Sequence, residues 1–461
     1  MDGGYRKVLV VGLGYRTGVA AAAFFSGRGV DVTVSDIKSE QELKELIMKL
    51  DSNVKVIAGH QDPVILDAGF DLVVLSPGVP AGIPLIQEAY NRKIPVISEI
   101  ELAFRNMKGS FIGITGTDGK STTTSLTGHI FKELGFETFI GGNIGIPLIS
   151  FADKTTDKSV TVIELSSFQL ETVDTFKPDV AAILNVTPDH LDRYSDMDGY
   201  FGAKKRIFKR QDNTDFFIYN GDSEILENSR REYPSRTLTF SIDNDSADAF
   251  LRDGVIYMIH EGSTIPVVKV KKLGILGIHN VQNVMASVLM VVSLHKKLGI
   301  DPDFYMIAEA CYSFKGLEHR MEYAGEYMGR TFVNDSKATT IGAVEMAVRS
   351  IRDKGVVIIG GRTKGDDYTR LRDVIGGKAR CIVLIGESSD MFSEIFKGFN
   401  VVRASDMEDA VLKAMKNSEQ GDMILLSPAC ASFDMFSSYD ERGKVFKTCF
   451  NKLSEGKIFW K

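Results

Sequence analysis

The chain has 461 residues, a formal net charge of −6, and 44% hydrophobic against 25% charged residues. That length exceeds one ordinary core and predicts about three domains, and the composition is that of a soluble globular protein, which excludes a disordered or fibrous chain. The acidic balance argues against a general nucleic-acid binder, and no apolar run reaches the ~18 residues that span a bilayer.

Cys311, Cys381, Cys430 and Cys449 are scattered without a C-x-x-C pair, which fits a reducing cytoplasm better than a disulfide scaffold or a zinc ribbon. The N-terminus reaches its first glycine turn after one short apolar run, without a signal-peptide layout.

Residues 7–11 and 32–35 read as buried strands, 19–25 as the helix between them, and 71–75 as another apolar strand ended by Ser76-Pro77-Gly78. This rhythm predicts a parallel sheet with crossover helices. The turn Gly12-Leu13-Gly14-Tyr15-Arg16-Thr17-Gly18 opens the first helix, where glycines let backbone N–H groups approach a diphosphate. Asp36 closes the second strand, where it could accept from a ribose or a base. The last glycine falls one position late for G-x-G-x-x-G, so the dinucleotide fingerprint fails and a turn without a ligand stays open.

A second unit begins near residue 111. Its strand, loop and helix carry Gly113-Ile114-Thr115-Gly116-Thr117-Asp118-Gly119-Lys120-Ser121-Thr122. The loop amides suit phosphates, Lys120 the β/γ-phosphates, and a hydroxyl of Ser121 or Thr122 suits Mg²⁺. A strict Walker pattern has glycine at Ile114, so this is a close variant. Strand 160–165 brings Glu164 to a carboxyl edge, as a Mg²⁺ ligand or as a plain strand end capped by serines. Strand 180–186 leads into Asn185-Val186-Thr187-Pro188-Asp189-His190-Leu191-Asp192, where His190 suits a metal or phosphate, although a lone histidine is usually structural. Ala203-Lys204-Lys205-Arg206 reads by itself as a solvated basic face. Short β-like runs over 214–272 read as strands added to this sheet, and a long helix over 280–297 follows. His279, Asn280 and Asn283 at its start are better placed for a ligand than its apolar interior.

The third unit has strands at 356–359, 381–385 and 423–426. Three polar loops follow strands: Asn334-Asp335-Ser336-Lys337-Ala338-Thr339, Gly360-Gly361-Arg362-Thr363-Lys364, and 427–434 with Ser432. They predict a site on one rim of that sheet. The expected divisions are 1–100, 101–316 and 317–461.

Together these segments resemble the Mur ligases over nearly the whole chain, most closely the member that adds D-glutamate. The resemblance rests on G-T-D-G-K-S-T, G-G-N-I-G at 141–145, E-L-S-S-F-Q-L at 164–170, N-V-T-P-D-H-L-D-R-Y at 185–194 and A-K-K-R-I at 203–207. It continues through H-N-V-Q-N at 279–283, E-H-R-M-E at 318–322, N-D-S-K-A-T at 334–339 and L-S-P-A-C-A-S-F-D at 426–434.

The resemblance implies an α/β fold of three domains: a Rossmann-like UDP-binding sheet, a central P-loop ATPase-like domain and a Rossmann-like C-terminal domain. It implies that Gly14, Tyr15, Arg16, Thr17, Asp36, Ser76, Pro77, Gly78 and Asn143 hold the UDP substrate. ATP would sit between the second and third domains, on Gly116, Thr117, Asp118, Gly119, Lys120, Ser121, Thr122, Asn283, Arg320 and Asp335. Mg²⁺ would take Ser121, Glu164, His190 and a carbamylated Lys204, with Lys120, His190 and Lys204 counted as catalytic. Lys337, Thr339, Lys364, Ser432 and Tyr439 would surround the amino acid. Tyr439 replaces a common phenylalanine and Asp118 a common asparagine.

The implied reaction is ATP-dependent addition of D-glutamate to UDP-N-acetylmuramoyl-L-alanine through an acyl phosphate, by a cytoplasmic monomer with neither nucleic-acid nor membrane partners. Phosphoryl transfer needs positioning and charge neutralisation rather than a protein nucleophile. Within the class, the D-N-P-R segment of the diamino-acid enzymes is absent. A nicotinamide dehydrogenase would leave Gly119-Lys120-Ser121 unexplained, and a nucleotide sensor would bind ATP without turnover.

Overall fold

A computed structural model describes residues 4–14, 17–190, 193–363 and 365–459. It holds three sheets flanked by helices. The chain divides into two compact units, residues 1–271 with 281–311, and residues 272–280 with 312–461.

The first sheet of the first unit comprises β1 (Lys7–Val11), β2 (Asp31–Asp36), β3 (Lys55–Ala58), β4 (Leu72–Leu75) and β5 (Val96–Ser98), ordered β3-β2-β1-β4-β5. All its pairings are parallel. β1 and β4 are apolar and buried because helices cover both faces.

The second sheet of that unit comprises β6 (Ser110–Thr115), β7 (Thr138–Gly142), β8 (Val160–Glu164), β9 (Val180–Ile183), β10 (Phe216–Asn220), β11 (Arg236–Ser241), β12 (Ala249–Arg252), β13 (Val255–His260) and β14 (Ser263–Lys269). Its order is β14-β13-β12-β11-β10-β9-β6-β8-β7. The short runs after residue 214 extend the sheet, as their sequence predicts, and β12 to β14 turn antiparallel. β9 stops at Ile183, three residues before the predicted strand end, so Asn185 is already loop.

The two sheets share one hydrophobic cluster, which runs from Val8 and Phe25 through Ile100 and Leu102 to Ile183 and Phe217. The linking helix Glu99–Asn106 is bolted at its base. Glu99 Oε1 accepts from Ile149 N at 2.8 Å, and Glu101 accepts from the amides of Asp174, Thr175 and Phe176 at 2.9–3.0 Å.

The second unit carries β15 (Glu322–Tyr327), β16 (Arg330–Asn334), β17 (Gly355–Ile359), β18 (Ala379–Leu384), β19 (Val401–Arg403) and β20 (Met423–Leu426), ordered β15-β16-β20-β17-β18-β19. β15 pairs antiparallel at one edge and the remaining pairs are parallel. All four cysteines are free and buried. Among the described residues no helix is long and apolar enough to cross a membrane.

Candidate functional site

At the rim of the first sheet, Ser76 Oγ donates to Gly12 O at 2.6 Å and accepts from Thr17 Oγ1 at 3.3 Å. Asp36 accepts from Leu13 N at 2.7 Å and Lys38 N at 2.9 Å. Its carboxylate therefore holds the turn through the main chain, a role that the sequence did not show. Gly18 is explained by packing: a Cβ there would come 2.3 Å from Gly12 O. Its late position thus reflects close helix–turn contact. Gly14 is exposed at the turn. Tyr15 and Arg16 lie outside the described residues.

The loop after β6 forms the predicted phosphate cradle. Gly116 and Gly119 have φ of 154° and 80°, values that side chains rarely allow, and Gly119 starts the helix Lys120–Glu133. Lys120 Nζ donates to the carbonyls of Gly116 at 2.9 Å and Thr117 at 2.6 Å. Ser121 and Thr122 are buried in the first turn. Asn283, early in the helix Ile278–Leu298, abuts the loop so closely that a Cβ on Gly119 would come 2.5 Å from its Oδ1.

Sequence reasoning missed Asn185. Its Oδ1 accepts from Thr117 N at 3.0 Å and Asp118 N at 2.8 Å, while its Nδ2 donates to Asp118 O at 3.2 Å. One amide side chain thus fixes the cradle's main chain. The signal was an asparagine that follows a buried strand after one intervening residue.

Glu164 ends β8, fully enclosed, with Oε1 accepting from Asn143 Nδ2 at 2.8 Å and Oε2 without a hydrogen-bond partner among the described residues. His190 has a left-handed φ of 54°, and its ring packs 4.7 Å from that of Phe168. Its Nε2 lies 3.6 Å from Asp189 Oδ2.

Lys204 overturns the solvated-face reading. It is 1% exposed, its Nζ donates to Gly116 O at 2.9 Å and lies 4.4 Å from the Tyr200 ring centroid. Burial first, and the Lys120 charge second, push its pKa down to about 7. Pro77, Gly78, Lys120, Asn143, Phe168, His190, Tyr200 and Lys204 line one cavity of about 340 Å³. That cavity brings Pro77, Gly78 and Asn143 of the substrate candidates together with Lys120, His190 and Lys204, whereas Ser121 and Glu164 are not among its lining residues.

In the second unit, Asp335 is buried and accepts from Met321 N and Ser427 Oγ, both at 3.0 Å. Burial raises its pKa to about 7, against its hydrogen bonds and nearby Arg320, whose buried Nε has no hydrogen-bond partner among the described residues. Lys337 N donates to His319 O at 2.9 Å, and Lys337 Nζ lies 5.7 Å from the Tyr439 centroid. Thr339 N donates to Lys337 O at 2.9 Å, and Ser432 is buried in the loop after β20. Lys364 lies outside the described residues. Arg442, unnoticed in the sequence, bonds to two of these loops.

Three family models match the chain in order: the Mur ligase MurD-like N-terminal domain over residues 6–98, the Mur ligase middle domain over 114–291, and the Mur ligase glutamate ligase domain over 319–430. The UDP-N-acetylmuramoylalanine--D-glutamate ligase of Koribacter versatilis is 42% identical, covering 99% of both chains. The chain belongs to the Mur ligase family. The like-named ligase of Geotalea daltonii is 41% identical over 98% of both chains.

Two Mur ligase structures share the fold. MurC of Thermotoga maritima has a TM-score of 0.56 at 18% identity, covering 97% of this chain and 99% of its own. The MurF ligase of the same organism, solved with ADP, has a TM-score of 0.59 at 17% identity, covering 92% and 95%. The sequence-derived fold class, α/β with three sheets, therefore holds.

The unpartnered Glu164 Oε2, close to a phosphate cradle, fits a hard divalent cation, which prefers carboxylate and phosphate oxygens. Among the described residues no group of three or more His, Cys, Asp or Glu is placed to hold a metal.

Proposed function

We propose that this Mur ligase adds D-glutamate to UDP-N-acetylmuramoyl-L-alanine with hydrolysis of ATP to ADP and phosphate. The supporting observation is the single cavity lined by Lys120, His190, Lys204 and the Pro77-Gly78 loop, in a chain 42% identical to a ligase of that name.

The loop amides and Lys120 bind the β- and γ-phosphates, with Lys120 turning from its carbonyl partners to the ligand. Asn143 and the Ser76–Gly78 loop orient the UDP substrate so that its terminal carboxylate faces the γ-phosphoryl. That carboxylate attacks phosphorus, ADP leaves, and an acyl phosphate forms. The amine of D-glutamate then attacks the acyl carbon, phosphate leaves, and the amide bond is made. Ser121, Glu164, His190 and Lys204 would hold Mg²⁺, which supplies charge neutralisation on the phosphates. Lys204 as a carbamate would present oxygen where its ammonium presents a cation. Asn283, Arg320 and Asp335 serve the nucleotide. Lys337, Thr339, Lys364, Ser432 and Tyr439 serve the amino acid, two cations and hydroxyls suiting two carboxylates. The reading includes a cytoplasmic monomer and the three functional divisions at 1–100, 101–316 and 317–461.

The test is phosphate release from ATP with UDP-N-acetylmuramoyl-L-alanine and a panel of amino acids, each enantiomer separately. D-glutamate should be required and L-glutamate far weaker. Equal turnover with L-alanine or a diamino acid overturns the assignment.

A further inference from the structure

Arg442 sits in the first turn of the helix Tyr439–Ser454 and is 1% exposed. Among the described residues its guanidinium makes no ion pair. It donates instead to neutral oxygens: Nε to Ser336 Oγ at 3.0 Å, Nη2 to Ser336 O at 2.9 Å and Cys430 O at 3.1 Å, and Nη1 to Ala431 O at 3.4 Å. Burying a cation whose direct partners are all neutral is costly, even with the Asp434 charge near enough to favour it, so packing alone would favour an apolar side chain here.

These acceptors lie on two loops, one leading to Lys337 and Thr339, the other to Ser432. A third loop is tied to the same place, because Arg362 and Ala431 exchange main-chain hydrogen bonds at 2.9 Å. A rigid planar fork spans such a set of oxygens, whereas a lysine offers one point of attachment.

We infer that Arg442 is a positioning residue for the amino-acid site, holding the two loops that carry Lys337, Thr339 and Ser432 in the register at which those side chains meet one ligand. This rests on the reading of those loops as the D-glutamate site. Arg442 touches no substrate; it acts through the main chain of Ser336, Cys430 and Ala431.

The experiment measures kcat and the three KM values for wild type, Arg442→Lys, Arg442→Met and Ser336→Ala, with thermal midpoints alongside. Arg442→Met should raise the KM for D-glutamate about tenfold or more, Arg442→Lys partly restore it, and Ser336→Ala raise it roughly threefold. The KM values for ATP and the UDP substrate should stay within about twofold. If Arg442→Met does not fold, the lysine and Ser336 variants decide by the same split. An unchanged D-glutamate KM, or three KM values rising together, overturns the inference. Wild-type enzyme that ignores D-glutamate overturns the functional reading first, and this inference with it.

Discussion

Lys120 and Lys204 donate to the same main-chain oxygen, that of Gly116, each at 2.9 Å. Two ammonium groups on one carbonyl repel. Burial first, and this repulsion second, bring the Lys204 pKa down to about 7. A substantial part of it is then a neutral amine at physiological pH, the form that adds CO₂.

Lys204→Ala should accordingly lose about 100-fold in turnover, the scale of removing a group that supports a metal site, and recover part of it with added formate or acetate. Enzyme stripped of CO₂ should regain activity with bicarbonate faster at pH 8 than at pH 6, because the amine fraction rises as pH passes about 7. A fully active Lys204→Ala variant refutes the role.

Lys120→Ala should abolish measurable turnover, while calorimetry finds affinity for the UDP substrate within about threefold of wild type. The Ser76–Gly78 loop is held by Gly12 and Thr17 in the first sheet, and none of those bonds involves Lys120. Loss of both functions in a folded variant contradicts this division of labour.

Asn185→Ala removes the acceptor shared by Thr117 N and Asp118 N. Each such bond contributes about 1 kcal/mol, so the KM for ATP should rise roughly 10- to 30-fold. The affinity for the UDP substrate should move much less. An unaltered ATP KM would show that the cradle keeps its shape without this side chain.

Asp335 carries a pH signature. Burial raises its pKa from 3.8 to about 7, so between those values the folded chain keeps a proton that the unfolded chain has released. That contribution to stability is complete at acid pH and fades as pH rises through 7. Asp335→Asn cannot ionise, and its thermal midpoint should fall less between about pH 5 and pH 8 than that of wild type. Parallel falls in both proteins would place the titration elsewhere.

The parts legible in the sequence are those whose chemistry is local. The cradle from Gly113 to Thr122 was readable because a strand, glycines, a lysine and a helix start lie side by side in the chain. Taken by itself the run at 203–206 looks like a solvated stripe because burial is a tertiary property, yet Lys204 turns inward beneath Gly116, and only the family resemblance pointed to it as a site residue. Asp36 shows a different gap, since its carboxylate accepts from two main-chain amides, a role that no spacing rule reveals. Arg442 gave no signal, because its partners lie on loops about 106 and 12 residues away. The edge strand β15, Glu-Tyr-Ala-Gly-Glu-Tyr, lacks the apolar run that exposes inner strands to pattern reading.

The bolts at Glu99 and Glu101 bear on how the molecule comes apart. The first two sheets share one core, so neither can unravel without exposing the other's apolar surface. Scanning calorimetry should therefore resolve two cooperative melting steps rather than three. For the same reason, a fragment ending near residue 100 should aggregate when expressed alone, its half of the shared core left bare. Anyone seeking a minimal crystallisable piece should cut elsewhere, keeping the first two sheets on one polypeptide.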